Sequence, residues 1–216
     1  MSTTIRTVER RPTQTEAQPP PLLLLLHGFG SNERDLMSFA PYLDPRFHIV
    51  AARGPLDLGF GHAWYQLSGG PGNLRPDPAT RDRAVELLTK FVRDLPARLG
   101  TDPQRTYLLG FSQGAILSLA LGLTMPDEIA GLVLISGYLD QSMIPTLAPA
   151  RLTGLRVLQI HGVDDQVIPI AAARQAHSFL KDTPVQLTYR EYPIGHSIHP
   201  AGLELISSWL AEQIEN

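Results

Sequence analysis

The 216-residue chain contains no cysteine, which excludes disulfide bonds, thiolate metal sites and a cysteine nucleophile. It also lacks a basic run, and its aromatic residues are not interleaved with Lys or Arg. With a formal charge of −3 at pH 7, the chain is not expected to bind nucleic acid. The five leucines Leu22–Leu26 are too short for a signal-peptide core, and no small-residue cleavage site follows them. We therefore expect a cytoplasmic protein with no membrane span.

The length fits one domain with a sizeable core, and 43% of the residues are apolar, as in globular proteins. Residues 1–21 include Thr-rich and Pro-rich stretches and end in three consecutive prolines. Within them, residues 3–9 alternate weakly between apolar and polar side chains, as an edge strand does. We predict a flexible or edge-strand lead-in at 1–21 and one domain at 22–216.

Short, fully apolar segments alternate with helical ones from residue 21 onward. Continuous apolarity, as in LLLLL and LVLIS, is typical of strands that are covered on both faces of a parallel sheet. The segments of strand length are 22–26, 47–52, 105–109, 129–136, 155–160 and 185–192.

Helical patterns fill the intervals between these strands. In residues 80–99 the apolar side chains recur on one stripe, and Gly100 follows as a stop signal. Residues 32–42 are predicted to form a helix capped by Ser31 or Asn32. Further helices are predicted at 113–125, 170–180 and 200–214. This alternation favours an α/β fold with a mostly parallel, doubly wound sheet, in which ligands bind at the carboxyl ends of the strands.

Residues 53–79 form a long connection that is rich in Gly and Pro, carries Trp64 and Tyr65 and has no periodicity. Long loops in compact domains are usually functional or disordered. Because this loop leaves a strand at its carboxyl end, we predict that it forms a wall of the active-site cleft, with Trp64 binding substrate. An equally plausible interpretation is that Trp64 only pins a surface loop to the body of the protein.

An apolar run with strand propensity ends in Gly-Phe-Ser-Gln-Gly at 110–114, and a run of Ala and Leu with helical propensity follows at once. In such a strand–turn–helix arrangement the serine, here Ser112, sits in a strained turn, and the glycines keep side chains clear of strand and helix. The helix start offers free N–H groups and a partial positive charge to a developing anion. Ser112 is therefore the candidate nucleophile.

A serine hydroxyl needs a neighbouring base, and the base needs an acid to orient it. In the hydrolase architecture the chain order is serine, acid, histidine. The loop 161–169, which leaves a predicted strand, carries Asp164 and Asp165, and Asp140 follows the preceding strand. Spacing does not choose among these three aspartates, each of which could instead cap a helix or solvate a loop.

Four histidines follow Ser112, and His196 is the favoured base because it lies between the last strand and the final helix. His199 is the weaker candidate, since it falls in the first turn of that helix. His177 lies inside a predicted helix. His161 ends a strand and is followed by Gly, just as His27 is, so both residues are predicted to shape turns.

The oxyanion of an acyl-transfer reaction needs donors as well. The first strong strand ends in the sequence LHGFG at 26–30, where glycines such as Gly28 let the backbone approach a ligand closely. We expect one donor N–H from this turn and the other from Gln113, the residue after the nucleophile.

The motifs HGFGSNERDL, GFSQGA, HGVDDQVIP and YPIGH occur in this order over nearly the whole chain after residue 21. In this respect the chain resembles the phospholipase/carboxylesterase family of α/β-hydrolases, which includes small bacterial carboxylesterases and acyl-protein thioesterases. The resemblance implies that Ser112 is the nucleophile, Asp165 the acid and His196 the base. It also implies that the N–H groups of Phe29 and Gln113 form the oxyanion hole.

The resemblance further implies a single-domain α/β-hydrolase without a large lid, and residues 137–154 are indeed too few for one. Two positions depart from the family pattern, namely Phe29 where leucine is common and Ala115 where glycine is common. Neither departure removes a reacting group. We expect the bulkier Phe29 to narrow the acyl channel and to disfavour long-chain lipid substrates.

The expected activity is that of a serine carboxylesterase acting on small-molecule esters, with thioesters as a further substrate class and no metal or cofactor required. Lysophospholipase-like or acyl-protein thioesterase activity is the alternative within the enzyme class. A non-catalytic hydrolase-fold protein that binds a small ligand is the alternative outside it. Without a lid the apolar cleft is open, and the second subunit of a homodimer would shield it.

Overall fold

A computed structural model describes residues 5–14, 18–144 and 149–215. Its centre is a seven-stranded sheet in the spatial order β1-β3-β2-β4-β5-β6-β7, in which only β1 runs antiparallel to its neighbour. The strands are β1 (Thr7–Arg10), β2 (Leu22–Leu26), β3 (His48–Ala52), β4 (Thr106–Phe111), β5 (Gly131–Ile135), β6 (Arg156–Gly162) and β7 (Gln186–Tyr192). The predicted doubly wound, mostly parallel α/β sheet is confirmed.

The central strands are apolar throughout because both faces of the sheet are covered. In β2, Leu22, Leu24 and Leu26 join one hydrophobic cluster, whereas Leu23 and Leu25 join a second cluster on the opposite face. All five side chains are at most 1% exposed. Continuous apolarity in the sequence therefore reports two buried faces rather than one.

In the part of the chain that the structure describes, four α-helices cover the sheet: α1 (Pro78–Leu99), α2 (Gln113–Thr124), α3 (Ile170–Lys181) and α4 (Pro200–Glu215). Buried residues of α1 and α2 and Leu180 of α3 belong to the first cluster, and those of α4 belong to the second. Asp77 caps α1 by accepting a hydrogen bond from the Thr80 N–H, and Gly100 ends it in the left-handed conformation with φ 67°. The predicted stop at Gly100 is confirmed.

The predicted helix at 32–42 is wrong in kind and extent. A 3₁₀ helix at Leu36–Tyr42 takes its place, with Asp35 rather than Ser31 or Asn32 at its start. Pro41 lies inside this segment and lacks the N–H that an α-helix would need there. Ser31 is used elsewhere, since its backbone pairs with that of His62.

The N-terminal lead-in contributes the edge strand β1. Of residues 3–9, which are predicted to form an edge strand, residues 3 and 4 lie outside the described residues. Arg10 fixes this strand to the body by donating hydrogen bonds to four carbonyl groups, those of Ala40, Leu43, Asp44 and Phe47. A domain boundary at residue 22 stays a prediction.

The connection 53–79 contains two small hairpins. Leu56–Asp57 pairs with His62–Ala63, and Leu67–Ser68 pairs with Arg75–Pro76. In the connection from β5 to β6, the described residues hold only two short 3₁₀ helices, Gln141–Met143 and Pro149–Leu152, and no lid domain. Across the described ranges, no helix is both long and apolar enough to cross a membrane.

Candidate active site

The carboxyl ends of β4, β6 and β7 meet at one edge of the sheet because these strands are parallel. Phe111 of β4 pairs with Ile135 of β5, and Gly162 of β6 pairs with Tyr192 of β7. The loops that leave β4, β6 and β7 therefore bring together side chains that are far apart in the sequence.

The turn after β4 holds Ser112 in an unusual backbone conformation, with φ 52° and ψ −116°. A Cβ atom at Gly110 would overlap the Gly114 carbonyl, and one at Gly114 would overlap the Leu26 carbonyl. The two glycines of the motif are thus required by close backbone contacts between β4, β2 and the start of α2. The Ser112 N–H donates to the Ile135 carbonyl at 2.8 Å, which fixes the turn to the next strand.

The His196 ring lies between Ser112 and Asp165. Its Nδ1 is 2.7 Å from Asp165 Oδ2, and its Nε2 is 2.9 Å from Ser112 Oγ. Because a carboxylate only accepts hydrogen bonds, Nδ1 carries the proton and Nε2 is free to accept from the serine hydroxyl. This tautomer is the one that a general base needs.

Asp165 is the aspartate at this position, and its carboxylate is fully buried. Its Oδ1 accepts hydrogen bonds from the N–H groups of Val167 and Ile168 at 2.8 and 2.9 Å, so Oδ2 faces His196. The two other candidate aspartates are occupied differently. Asp164 is exposed, and Asp140 caps a 3₁₀ helix and forms an ion pair with Arg81 at 3.3 Å.

The remaining histidines lie outside this chain of hydrogen bonds. His199 stacks on Tyr192 with ring centroids 5.0 Å apart, and its Nδ1 accepts from the Ala201 N–H. His177 stacks on Tyr189. His161 is buried, and its Nε2 lies 2.8 Å from the Ile168 carbonyl and 3.4 Å from Asp165 Oδ2.

The turn after β2 lies beside the nucleophile. A Cβ atom at Gly28 would be 3.2 Å from the Ser112 Cβ, so this residue leaves room directly at the serine. Within the described part of the chain, no hydrogen bond uses the N–H of Phe29 or of Gln113. Gln113 is the first residue of α2, where an N–H has no partner one turn back. Both N–H groups are thus available to a ligand.

Trp64 lies under the site rather than on its surface. Its side chain is 1% exposed, and its indole N–H donates to the His27 carbonyl at 2.9 Å. The buried side-chain amide of Gln113 could not be foreseen from the sequence. Its Oε1 accepts from the Trp64 N–H at 2.9 Å, and its Nε2 donates to the Tyr65 carbonyl at 2.8 Å. No local sequence pattern predicts these hydrogen bonds, because the bonded residues are about 50 positions apart in the chain.

An open groove of about 640 Å³ continues from the Gly28 turn. The Phe111 ring at its wall contacts the His196 ring, with centroids 4.9 Å apart. Its other lining side chains include Phe29, Asn32, Arg34, Asp35 and Ser38. Among the described residues, no group of three or more His, Asp or Glu side chains is placed to hold a metal ion.

The sequence also matches a family model, described as phospholipase/carboxylesterase, over residues 11–214. The chain belongs to the phospholipase/carboxylesterase family. A probable carboxylesterase of Arabidopsis thaliana, SOBER1-like, is 33% identical over 208 residues, covering 90% of this chain and 79% of the relative. Acyl-protein thioesterase 1 of Saccharomyces cerevisiae is 26% identical over 220 residues, covering 90% and 93% respectively.

Solved structures of other proteins have the same fold. The carboxylesterase of Bacillus cereus superposes with a TM-score of 0.84 at 22% identity, covering 97% of this chain and 94% of the other. The single-domain α/β-hydrolase fold is therefore confirmed. Membership in the family supports a hydrolase with esterase or thioesterase activity.

Proposed function

We propose that this chain is a serine carboxylesterase that cleaves small-molecule carboxylic esters through an acyl-enzyme. One observation carries the proposal, namely the His196 ring within hydrogen-bond distance of both Ser112 Oγ and Asp165 Oδ2. A serine hydroxyl, an unprotonated imidazole nitrogen and an orienting carboxylate are the three groups that nucleophilic acyl transfer needs.

In the first half of the reaction, Ser112 Oγ attacks the ester carbonyl carbon while His196 Nε2 takes the hydroxyl proton. Asp165 stabilises the imidazolium that forms. The carbonyl oxygen becomes an oxyanion, for which the N–H groups of Phe29 and Gln113 are the donors. When the tetrahedral intermediate collapses, the bond to the leaving oxygen breaks and His196 returns the proton to that oxygen.

In the second half, a water molecule attacks the acyl-enzyme carbonyl while His196 Nε2 removes a water proton. The Ser112 ester bond then breaks, the acid product leaves and the proton returns to the serine oxygen. No step requires a metal ion or a cofactor.

The leaving group is expected on the His196 side of the nucleophile, because that ring must protonate it. Phe111 contacts His196 and lines the groove, so we place the leaving group in the groove. Gly28 would admit the reacting carbonyl, and Trp64 would support the site from below rather than touch substrate.

Thioesters follow the same steps and are the second candidate substrate class, since a yeast relative is named an acyl-protein thioesterase. Lysophospholipase-like activity is the other alternative, which we rank lower because Phe29 is bulky at the site. A homodimer, a cytoplasmic location and the domain boundary at residue 22 stay predictions.

Ser112→Ala should lower turnover of a short p-nitrophenyl ester roughly 10⁴-fold or more. Ser136→Ala is the matched control, because Ser136 also follows a strand of the sheet with φ 52° and is buried, yet its hydroxyl forms no hydrogen bond with any described residue. A fluorophosphonate probe should label wild type and the control but not Ser112→Ala. Unchanged turnover in Ser112→Ala would refute Ser112 as the nucleophile, and no labelling of wild type would favour the non-catalytic ligand-binding alternative.

A further inference from the structure

Residues 54–66, here called the docking segment, belong to no strand of the main sheet and supply none of the reacting groups. They nevertheless make buried hydrogen bonds to both parts of the chain that carry the expected oxyanion donors. These parts are the turn at Phe29 and the start of α2 at Gln113.

The first attachment is the Gln113 side chain, which is 2% exposed. Its amide accepts from the Trp64 N–H at 2.9 Å and donates to the Tyr65 carbonyl at 2.8 Å. The same residue therefore presents its backbone N–H to the site and its side chain to the docking segment. A two-point amide pairing of this kind fixes both the distance and the orientation of the segment relative to α2.

The second attachment holds the residue after Phe29. The Gly30 N–H donates to the His62 carbonyl at 2.9 Å, and the His62 N–H donates to the Ser31 carbonyl at 2.7 Å. A Cβ atom at Gly61 would overlap the Gly30 carbonyl, so the segment can approach this closely only through a glycine. The Phe29 peptide is thus held immediately on its C-terminal side.

The third attachment holds the residues before Phe29. The Gly54 N–H donates to His27 Nε2 at 2.9 Å, and the Trp64 indole N–H donates to the His27 carbonyl at 2.9 Å. Because Nε2 accepts, His27 Nδ1 carries the proton and donates to the Gly28 carbonyl at 2.7 Å. The turn is fastened on both sides of its donor N–H.

We propose that the docking segment sets the spacing of the two oxyanion donors and that the Gln113 side-chain amide is a positioning residue for the reaction. This inference rests on the proposed function. Oxyanion donors are effective only when they lie about 2.7–3.1 Å from the developing charge, and a misplacement of about 1 Å can cost a factor of about 100 in rate. One donor follows β2 and the other follows β4, and the segment joins the two turns directly.

Loss of this positioning should affect kcat more than KM, because the oxyanion exists only in the transition state. In Gln113→Met, which keeps the length of the side chain but removes both hydrogen bonds, we expect kcat for a short p-nitrophenyl ester to fall about 10- to 100-fold. KM should change less than about 3-fold. The affinity for a trifluoromethyl ketone, which forms a tetrahedral oxyanion with the serine, should fall in parallel with kcat.

Gln159→Met is the matched control. Gln159 is a buried glutamine of β6 whose amide donates to the Ala173 carbonyl, and it bonds to neither donor turn. Gln159→Met removes one hydrogen bond, because Gln159 Oε1 has no partner among the described residues, so in urea unfolding the control should lose less stability than Gln113→Met while its kcat and ketone affinity stay within about 2-fold of wild type.

The second attachment is tested with a pair of glycines. Gly61→Ala forces the segment away from Gly30, whereas Gly70→Ala adds a methyl group to open space in the same connection. We expect a kcat decrease of about 10-fold or more in Gly61→Ala and none in Gly70→Ala. The ketone affinity should follow the same order.

Parallel losses of kcat and ketone affinity in Gln113→Met and Gly61→Ala, absent from both controls, would support the positioning role. Two results would overturn it while leaving the proposed function intact: Gln113→Met with the kcat of wild type, or an equal kcat loss in Gln159→Met. Failure of the proposed function is separate, since wild type would then show no Ser112-dependent turnover.

Discussion

Two turns of this protein begin with the same pair of residues, His-Gly, at the carboxyl ends of parallel strands. His27 and Gly28 follow β2, and His161 and Gly162 complete β6. Both histidines are 1% exposed, and burial lowers the pKa of each ring from its ordinary value. A neutral buried imidazole that bonds to backbone is therefore a repeated turn-building device here.

The two turns differ in what surrounds the glycine. Next to Gly28 are the side chain of Phe111 and the Cβ of Ser112, and next to Gly162 are the carbonyl groups of Ile194 and Gly195. The first turn therefore keeps space at the nucleophile, while the second packs backbone against backbone to hold the loop that carries His196. The same local sequence serves access in one place and rigidity in the other.

The largest effects are expected when Gly28 and Gly162 are each replaced by alanine. These two substitutions should separate the two roles. In Gly162→Ala the new methyl group would overlap two backbone carbonyls, so we expect a loss of about 2 kcal/mol in unfolding free energy and a kcat decrease of about 100-fold. In Gly28→Ala the nearest atoms are at 3.1 and 3.2 Å, and the expected stability loss is below about 1 kcal/mol. Urea unfolding and steady-state kinetics measure both. A larger stability loss in Gly28→Ala would contradict the comparison.

The buried rings should make stability depend on pH. Because burial lowers the folded-state pKa of His27 and His161, the unfolded chain takes up protons first when the pH falls below about 6.5. The unfolding free energy should then decrease as the pH drops through the window from about 6.5 down to the lowered pKa values, by up to about 1.4 kcal/mol per pH unit for each ring.

His161→Gln should reduce this slope by the share of one ring. Urea unfolding at several pH values between 4 and 8 gives the slopes. Equal slopes in wild type and His161→Gln would mean that the two turns do not share the neutral-imidazole device.

The smallest effect is expected in the groove, which borders only the first turn. Arg34 lines it and forms no ion pair with another of the described residues, whereas Asp35 accepts a hydrogen bond from the Ser31 hydroxyl. We expect Arg34→Gln to lower kcat/KM about 3-fold for an ester with an anionic leaving group and to leave a neutral one unchanged. Arg83→Gln, on α1 and outside the groove, is the control. Equal changes for both esters would place the leaving group elsewhere.

The sheet could be predicted well from the sequence because burial on both faces leaves a direct compositional record. The six predicted apolar segments correspond to β2 to β7, and the predicted and observed ends differ by no more than two residues. The 3₁₀ helix at Leu36–Tyr42 could not be predicted in the same way. Its apolar spacing suits a helix, but the backbone of Ser31 at the predicted start pairs with that of His62, and that pairing depends on the fold.

For the candidate site, loop position and motif resemblance led to Ser112, Asp165 and His196, and the structure places these three side chains in contact. Residue spacing alone left Asp140 and Asp164 open, because a sequence does not reveal which carboxylate receives backbone N–H bonds. The proposed positioning role of residues 54–66 could not be predicted either. These residues form their attachments mostly through backbone N–H and carbonyl groups, which every sequence has.

The backbone of Ser112, with φ 52°, has a consequence for the history of the chain. Glycine would adopt this conformation with less strain but would carry no hydroxyl. Selection for thermal robustness and selection for turnover therefore oppose one another at this position. In a descendant that no longer needs to hydrolyse esters, glycine could replace Ser112. That protein would gain stability and lose its hydrolytic activity.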